Sequence, residues 1–296
     1  MKKFILPIVA LALVVFMYSC GSKQQAEGSE AGAFEEAQNQ PGVSESLEGV
    51  IYNVPPPSEI PWLLEATGAE FNGDLVNSYT VADKYKTTFD VAALNLGVYA
   101  SDLGYLSVYD KTQDAINYLS TMKSLADHLG VSSAYDEELV VRFENNIGAK
   151  DSLEYIINEG VKNADELLKS DDRSQAAALM TTGSFIEGLY VATQLIATYP
   201  ENLLTEEQRF TILTPLIRVV LEQENSLGDL IKMATSVPQD GLVAQVVGEL
   251  TELQTIYSEL DIEEKIQNNK INELTGDETL GRLTSQIEKI RQDIVK

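Results

Sequence analysis

The 296-residue chain contains one cysteine and one histidine. One cysteine excludes an internal disulfide, and the usual ligand sets for zinc, haem and cysteine–histidine catalysis are missing. His128 is predicted to be solvated, because it follows Asp127 on the polar side of its helix. One tryptophan argues against a large sugar-binding platform, and no P-loop, nucleophile elbow or dinucleotide-binding glycine motif occurs. The sequence therefore predicts neither a cofactor nor an enzyme activity.

Positive charge is also scarce. The chain has 21 basic and 46 acidic residues, a formal net charge of −25. Such a surface repels phosphate backbones, which argues against nucleic acid as a partner. It favours solubility and could attract cations or basic proteins.

The single cysteine lies at the end of the one long hydrophobic run. Lys2 and Lys3 precede apolar residues 4–18, and Ser19 and Cys20 follow directly. A membrane-spanning helix needs about 20 apolar residues, so this shorter run is typical of a secretory signal peptide. Its end resembles the lipobox of bacterial lipoproteins.

The lipobox resemblance implies that residues 1–19 are a lipoprotein signal peptide and that Cys20 becomes an acylated N-terminus. Two or three acyl chains would then hold the protein on a membrane. The alternative is an ordinary signal peptide with an incidental cysteine. Residues 20–49 are rich in Gly, Ser, Gln and Glu, and we predict a flexible acidic tether there.

From residue 50 onward the sequence predicts an all-α bundle of eight to nine helices, because apolar residues recur every three or four positions. Residues 50–200 are expected to form a helical core. Residues 201–296 are expected to pack on that core or to form a second subdomain. The predicted helices are a short one between Ser58 and Gly68, then 81–110, 113–129 stopped by Gly130, 134–147 opened by Ser133, 152–169, 175–199, one after Thr205, 240–260, and a last one with an apolar seam at Leu280, Leu283, Ile287, Ile290 and Ile294.

Two of these helices are almost entirely apolar. Asp102 is the one charged residue in VAALNLGVYASDLGYLSVY, and Glu187 is the one in SQAAALMTTGSFIEGLYVATQLIATYP. A helix that is apolar all round is a central one. Each also carries two glycines, which weaken a helix by about 1 kcal/mol each unless another backbone approaches closely.

These glycines are Gly97 and Gly104 in the first helix and Gly183 and Gly188 in the second. We expect the two helices to pack against each other or against common neighbours. Aligning Gly97 with Gly183 also matches aromatic and leucine positions nearby. This alignment suggests two duplicated helical hairpins.

Asp102 and Glu187 are the candidate site residues. The functional hypothesis is a buried carboxylate site, helped by Asn95, Tyr99 or Tyr105, that binds Ca²⁺, Mg²⁺, Mn²⁺ or the polar group of a ligand. In the structural alternative, each acid accepts hydrogen bonds from hydroxyl groups, or pairs with Arg142 or Arg218, and stabilises the core.

Together with the lipobox, the segments PPPSEIPWLL, LNLGVYASDLGYLSVYD and GSFIEGLYVATQ resemble a group of uncharacterised all-helical lipoproteins of Bacteroidota. The resemblance covers residues 51 to about 200 and implies a location but no mechanism. In that phylum, acidic residues directly after the lipidated cysteine mark export to the cell surface. Here Lys23, Gln24 and Gln25 come first, which favours the periplasmic face of the outer membrane.

We therefore expect a noncatalytic, lipid-anchored protein of the cell envelope that acts by protein–protein contacts with an envelope partner. The alternative is a small-ligand or cation-binding helical module that uses its buried carboxylates. An enzyme would need a water-lined cleft that holds two or more acids.

Overall fold

Helices make up the regular structure in residues 54–170, 173–198, 206–260 and 278–296, which the computed structural model describes. These residues contain no strand, and the predicted all-α class is confirmed. They all belong to one compact unit. The predicted signal peptide, Cys20 and the tether lie outside the described residues.

Ten α-helices are present in the described residues, labelled in chain order. They are α1 (Glu59–Ala66), α2 (Phe89–Val108), α3 (Thr112–Leu129), α4 (Glu137–Asn145), α5 (Lys150–Ser170), α6 (Ser174–Ala197), α7 (Glu206–Leu221), α8 (Glu224–Thr235), α9 (Gly241–Ser258) and α10 (Glu278–Val295). Three short 3₁₀ segments are Gly73–Leu75, Tyr79–Tyr85 and Ser132–Tyr135. Helix α8 was not predicted from the sequence. None of the described helices is both long and apolar enough to cross a bilayer.

The predicted long helix at 81–110 is wrong, because a break separates two elements there. The 3₁₀ segment ends at Tyr85, and α2 begins only after Thr88. Thr88 has an extended backbone, and its hydroxyl accepts a hydrogen bond from the Val91 N–H at 3.2 Å. Threonine favours this capping position over a helix interior, so the helix starts here.

The predicted helix at 134–147 is likewise shorter. Its N-cap is Asp136 rather than Ser133, and the Asp136 carboxylate accepts from the Leu139 N–H at 2.8 Å. The predicted stop at Gly130 is confirmed, since this residue ends α3 with a left-handed φ of +72°. Glycine adopts that conformation without the steric penalty of a side chain.

Helices α2 and α6 form the centre of the fold. Every residue from Ala92 to Val108 is buried, and so is every residue from Ala176 to Leu189. The two helices pack mainly on each other, and α1, α3 and α5 surround them. Helices α7, α8 and α10 pack on α6, while α9 packs on α8 and α10. All five predicted seam residues of α10 are buried.

Glycines allow the backbones of α2 and α6 to touch, as predicted. A Cβ added to Gly97 would lie 1.9 Å from the carbonyl oxygen of Met180. A Cβ added to Gly183 would lie 1.9 Å from the carbonyl oxygen of Leu94. The contacts are reciprocal: each glycine meets the residue three positions before the other glycine.

The other two glycines accommodate α1. A Cβ on Gly104 would lie 2.9 Å from Cα of Ser58, and one on Gly188 would lie 3.0 Å from Cδ1 of Ile60. The start of α1 therefore packs closely against both central helices, at Gly104 and Gly188. Each central helix uses one glycine for its partner and one for α1.

Candidate functional site

The structure brings Asp102 of α2 and Glu187 of α6 together in the centre of the fold. Both side chains are 0% exposed, and each carboxyl group shifts the pKa of the other. Two ionised carboxylates cannot hydrogen-bond to one another, because neither has a donor. A bond between them requires that one of the two carries a proton.

Arg291 of α10 completes this cluster. Its Nε and Nη2 donate to the two carboxylate oxygens of Glu187, each at 3.1 Å, and its guanidinium carbon lies 4.5 Å from the centre of the Tyr190 ring. The arginine side chain is 13% exposed. A two-pronged contact of this kind is the strongest geometry available to an arginine and a carboxylate.

Arg142 and Arg218, the arginines predicted as partners, lie elsewhere. Arg142 pairs with Glu159 at 2.6 Å, and Arg218 lies near Glu222. Arg291 is 104 residues from Glu187 along the chain. The one nearby sequence feature that indicates burial of Arg291 is its position four residues after Ile287, on the buried face of α10.

Of the two acids, Asp102 has the more strongly raised pKa. Its Oδ2 accepts the Asn77 N–H at 3.0 Å, whereas its Oδ1 meets no hydrogen-bond donor among the described residues. Burial raises the pKa of the Asp102 carboxyl well above its usual range, and the charge of Glu187 raises this pKa further. The Arg291 charge and the Asn77 N–H oppose both effects.

The pKa of Glu187 is also raised, but less strongly. Burial raises the pKa of this carboxyl, and the charge and hydrogen bonds of Arg291, together with the hydrogen-bond effect of Asp102, offset only part of that rise. Burial lowers the pKa of Arg291, and the carboxylate of Glu187 raises it to a higher net value. Arg291 therefore stabilises the ionised form of Glu187 directly, through two hydrogen bonds that Asp102 does not receive.

The other three candidate residues bind backbone atoms rather than the acid pair. Asn95 Nδ2 donates to the carbonyl oxygens of Val91 and Ile294, at 3.0 and 3.2 Å. The Tyr99 hydroxyl donates to the Ser78 carbonyl at 2.9 Å. The hydroxyl of Tyr105 accepts the Asn72 N–H at 2.9 Å.

The last turn of α10 is held by the same part of the fold. The Val295 carbonyl accepts hydrogen bonds from the Tyr85 hydroxyl at 2.9 Å and from Lys84 Nζ at 2.8 Å. Carbonyl groups in a last turn lack helical partners, and a cation there is favourable. Asn77 connects both ends of this network, since its N–H binds Asp102 and its Nδ2 binds the Tyr85 hydroxyl.

A cation site at the acid pair is not supported by this geometry. The guanidinium of Arg291 contacts both oxygens of Glu187 and supplies the positive charge that a metal ion would bring. The described residues contain no group of three or more potential metal-ligating His, Cys, Asp or Glu side chains. The structural alternative fits the contacts, with Arg291 in place of the arginines named from the sequence.

Divalent cations are therefore expected to leave the melting temperature unchanged. A cation bound to the folded state at a hundred times its Kd would add about 2.7 kcal/mol of stability. The measurement is thermal melting with and without millimolar Ca²⁺, Mg²⁺ or Mn²⁺. An increase in Tm that disappears in Asp102→Asn and Glu187→Gln would contradict the expectation and restore the cation hypothesis.

An open groove between α9 and α10 also carries acids. Glu252 and Glu278 line it, together with Arg282 and Lys289. Glu252 accepts a hydrogen bond from Gln286 at 3.0 Å and lies 3.7 Å from Lys289. These contacts describe a solvated surface with paired charges.

No family model, curated protein or solved structure matches this chain in comparisons with known proteins. The resemblance to Bacteroidota lipoproteins stays a prediction from the sequence. Any function assigned to the chain therefore depends on its own residues.

Proposed function

We propose that this protein is a noncatalytic lipoprotein of the cell envelope, anchored through acyl chains on Cys20, whose helical body acts by protein–protein contacts. The observation that carries the proposal is the apolar run at residues 4–18, followed directly by Ser19 and Cys20. The resemblance to Bacteroidota lipoproteins supports a place on the periplasmic face of the outer membrane.

The composition of residues 20–49 supports a tethered body. A flexible chain of this length has a root-mean-square end-to-end distance of about 30 Å. The helical body would then search for partners within that distance of the membrane surface. A tether increases the effective concentration of a partner held on the same membrane.

The central acid pair supports a noncatalytic role. Glu187 is bound by Arg291, and both acids are 0% exposed, so no substrate reaches them without displacing α10. The net charge of −25 favours a partner with a positively charged surface.

Mass spectrometry of the mature protein tests the anchor. We expect an N-terminal acylated cysteine derived from Cys20 and recovery of the protein with the membranes. A Cys20→Ser variant should lose the acyl mass and leave the membrane fraction, because each buried methylene contributes about 0.8 kcal/mol to membrane binding. An unmodified N-terminus beyond position 20, with wild-type protein in the soluble fraction, would refute the anchor.

Crosslinking in native envelopes tests the partner. A specific envelope protein captured by the wild type, and captured less by Cys20→Ser, would support tethered protein–protein contacts. Crosslinks to no protein above the background of an unrelated acidic lipoprotein would count against them. Comparing wild type with Cys20→Ser distinguishes the effect of the membrane anchor from recognition of the partner by the helical body.

A further inference from the structure

We propose that Asp102 and Glu187 share one proton and, with Arg291, form a pH-sensitive latch that holds α10 on the two central helices. The latch is the set of these three side chains, one each from α2, α6 and α10. It goes beyond the proposed envelope function and does not depend on lipidation at Cys20.

The charge balance of the latch is the first argument. With both acids ionised, two buried carboxylates would face the guanidinium of Arg291 and leave one negative charge uncompensated. An uncompensated charge in a low-dielectric interior is strongly unfavourable. One proton on Asp102 removes that charge. The proton also turns Oδ1 into a donor toward Glu187, and without it this buried oxygen has no hydrogen-bond partner among the described residues.

The position of Arg291 is the second argument. The main polar contact of α10 with the centre of α6 is the pair of 3.1 Å hydrogen bonds from Arg291 to Glu187. Ionising Asp102 would place a second negative charge beside Glu187 and lose the hydrogen bond between the two acids. The loss would fall on the polar contact that joins the middle of α10 to α6.

Other titratable groups face the latch from the neighbouring elements. They are Tyr99 of α2, Tyr118 of α3, Tyr190 of α6 and Glu288 of α10, with Tyr85 of the 3₁₀ segment against Tyr99. Burial raises the pKa of Tyr99, Tyr118 and Tyr190 above the usual value, so these three stay neutral near pH 7. Among these groups, the tyrosines therefore do not supply the proton, and the carboxyl pair is the titrating part of the latch.

The sign of the pH effect follows from the raised pKa of Asp102. The native state keeps a proton that the unfolded chain releases near pH 4. The contribution of this carboxyl to the free energy of unfolding is therefore greatest below the pKa of the unfolded chain. It is lost as the pH rises through the pKa of the folded protein. The folding equilibrium constant falls by about tenfold per pH unit in that window. The latch is strongest in acid and weakens as the pH rises.

Glu59 is a second acid with a raised pKa, and the test must separate its effect from that of Asp102. The pKa of Glu59 is raised to about 7 by burial and by the charge of Glu154, so Glu59 gives the whole protein a pH dependence of the same sign. Glu59 begins α1, whereas Arg291 is on α10. Comparing Asp102→Asn with Glu59→Gln separates the latch from this background.

Hydrogen exchange on the full chain in mild detergent reads the latch directly. In wild type, protection of the α10 amides, corrected for intrinsic exchange, should fall by about tenfold or more between acidic and alkaline pH. Asp102→Asn imitates the protonated acid, because its amide can donate to Glu187 and accept from Asn77. Its α10 protection should fall much less than that of wild type and retain only the part that Glu59 contributes, while Glu59→Gln should keep most of the wild-type fall.

An α10 protection that depends on pH equally in wild type and in Asp102→Asn would overturn the latch. If Asp102→Asn does not fold, infrared spectroscopy of wild type with ¹³C-labelled aspartate decides the question. A buried protonated aspartic acid band that disappears as the pH rises supports the latch. If the band is absent in mildly acidic solution, at a pH above about 4 where aspartate in an unfolded chain is ionised, the latch is refuted.

Discussion

Gly97→Ala is expected to destabilise the protein by about 3 kcal/mol or more, the upper part of the range for overpacked cores. The added methyl carbon would lie 1.9 Å from the Met180 carbonyl oxygen and 2.7 Å from the Ser184 nitrogen. Both atoms belong to the backbone of α6, so no change of rotamer can relieve the clash. The two central helices must move apart, and contacts along both helices are lost.

Gly183→Ala should behave in the same way, because its added methyl meets the Leu94 carbonyl oxygen at 1.9 Å. Natural domains have total stabilities of about 5–15 kcal/mol, so either variant could lose most of its folded population. Chemical denaturation followed by circular dichroism measures the free energy of unfolding. Variants that fail to accumulate as folded protein would agree with the expectation.

Gly248→Ala and Gly281→Ala are the matched controls. Both glycines lie inside helices, in α9 and α10, and an added Cβ meets nothing within 4 Å at either position. Alanine should stabilise these helices by up to about 1 kcal/mol. If Gly97→Ala also falls within about 0.5 kcal/mol of wild type, the central crossing is looser than the glycine contacts indicate.

Arg291→Met is expected to cost about 3–5 kcal/mol, the usual effect of removing one partner from a buried ion pair. Methionine retains an apolar side chain of similar length but leaves the Glu187 carboxylate without a cation. Helix α10 then carries apolar side chains against a core that contains an unpaired charge. We expect its amides to lose protection before those of α2 and α6.

Two further variants separate charge from packing. Arg282 lies on the same helix and pairs with Glu259 at an exposed position, so Arg282→Met should change stability by about 1 kcal/mol or less. Adding Glu187→Gln to Arg291→Met removes the unpaired charge and should recover part of the loss. An Arg291→Met variant as stable as Arg282→Met would mean that the buried pair contributes little.

The fold of α2 and α6 could be predicted from residues close together in the chain. Apolar character on every face marks a helix without a solvent side, and glycine inside such a helix marks a close backbone contact. Both patterns are local. The break at Thr88 was harder to predict, because threonine fits both a helix and its cap, and the flanking residues have the same apolar period.

The acid pair was predictable only in part. Asp102 and Glu187 stand out as isolated charges in apolar helices, so their burial could be inferred from composition. Their proximity and the shared proton depend on the angle and register at which the helices cross. Asn95 and Tyr99 were predicted to assist the acids, but they donate to backbone carbonyls, which no sequence motif marks.

The sequence by itself determined that this body is helical, that two helices are central and that glycines bring them into contact, because helical periodicity and side-chain size act over a few residues. It also predicts an anchor at Cys20. Only the tertiary structure decided that Arg291, 104 residues from Glu187, balances the buried acids. That choice depends on how a distant helix docks, and docking sums many weak contacts that no short segment contains.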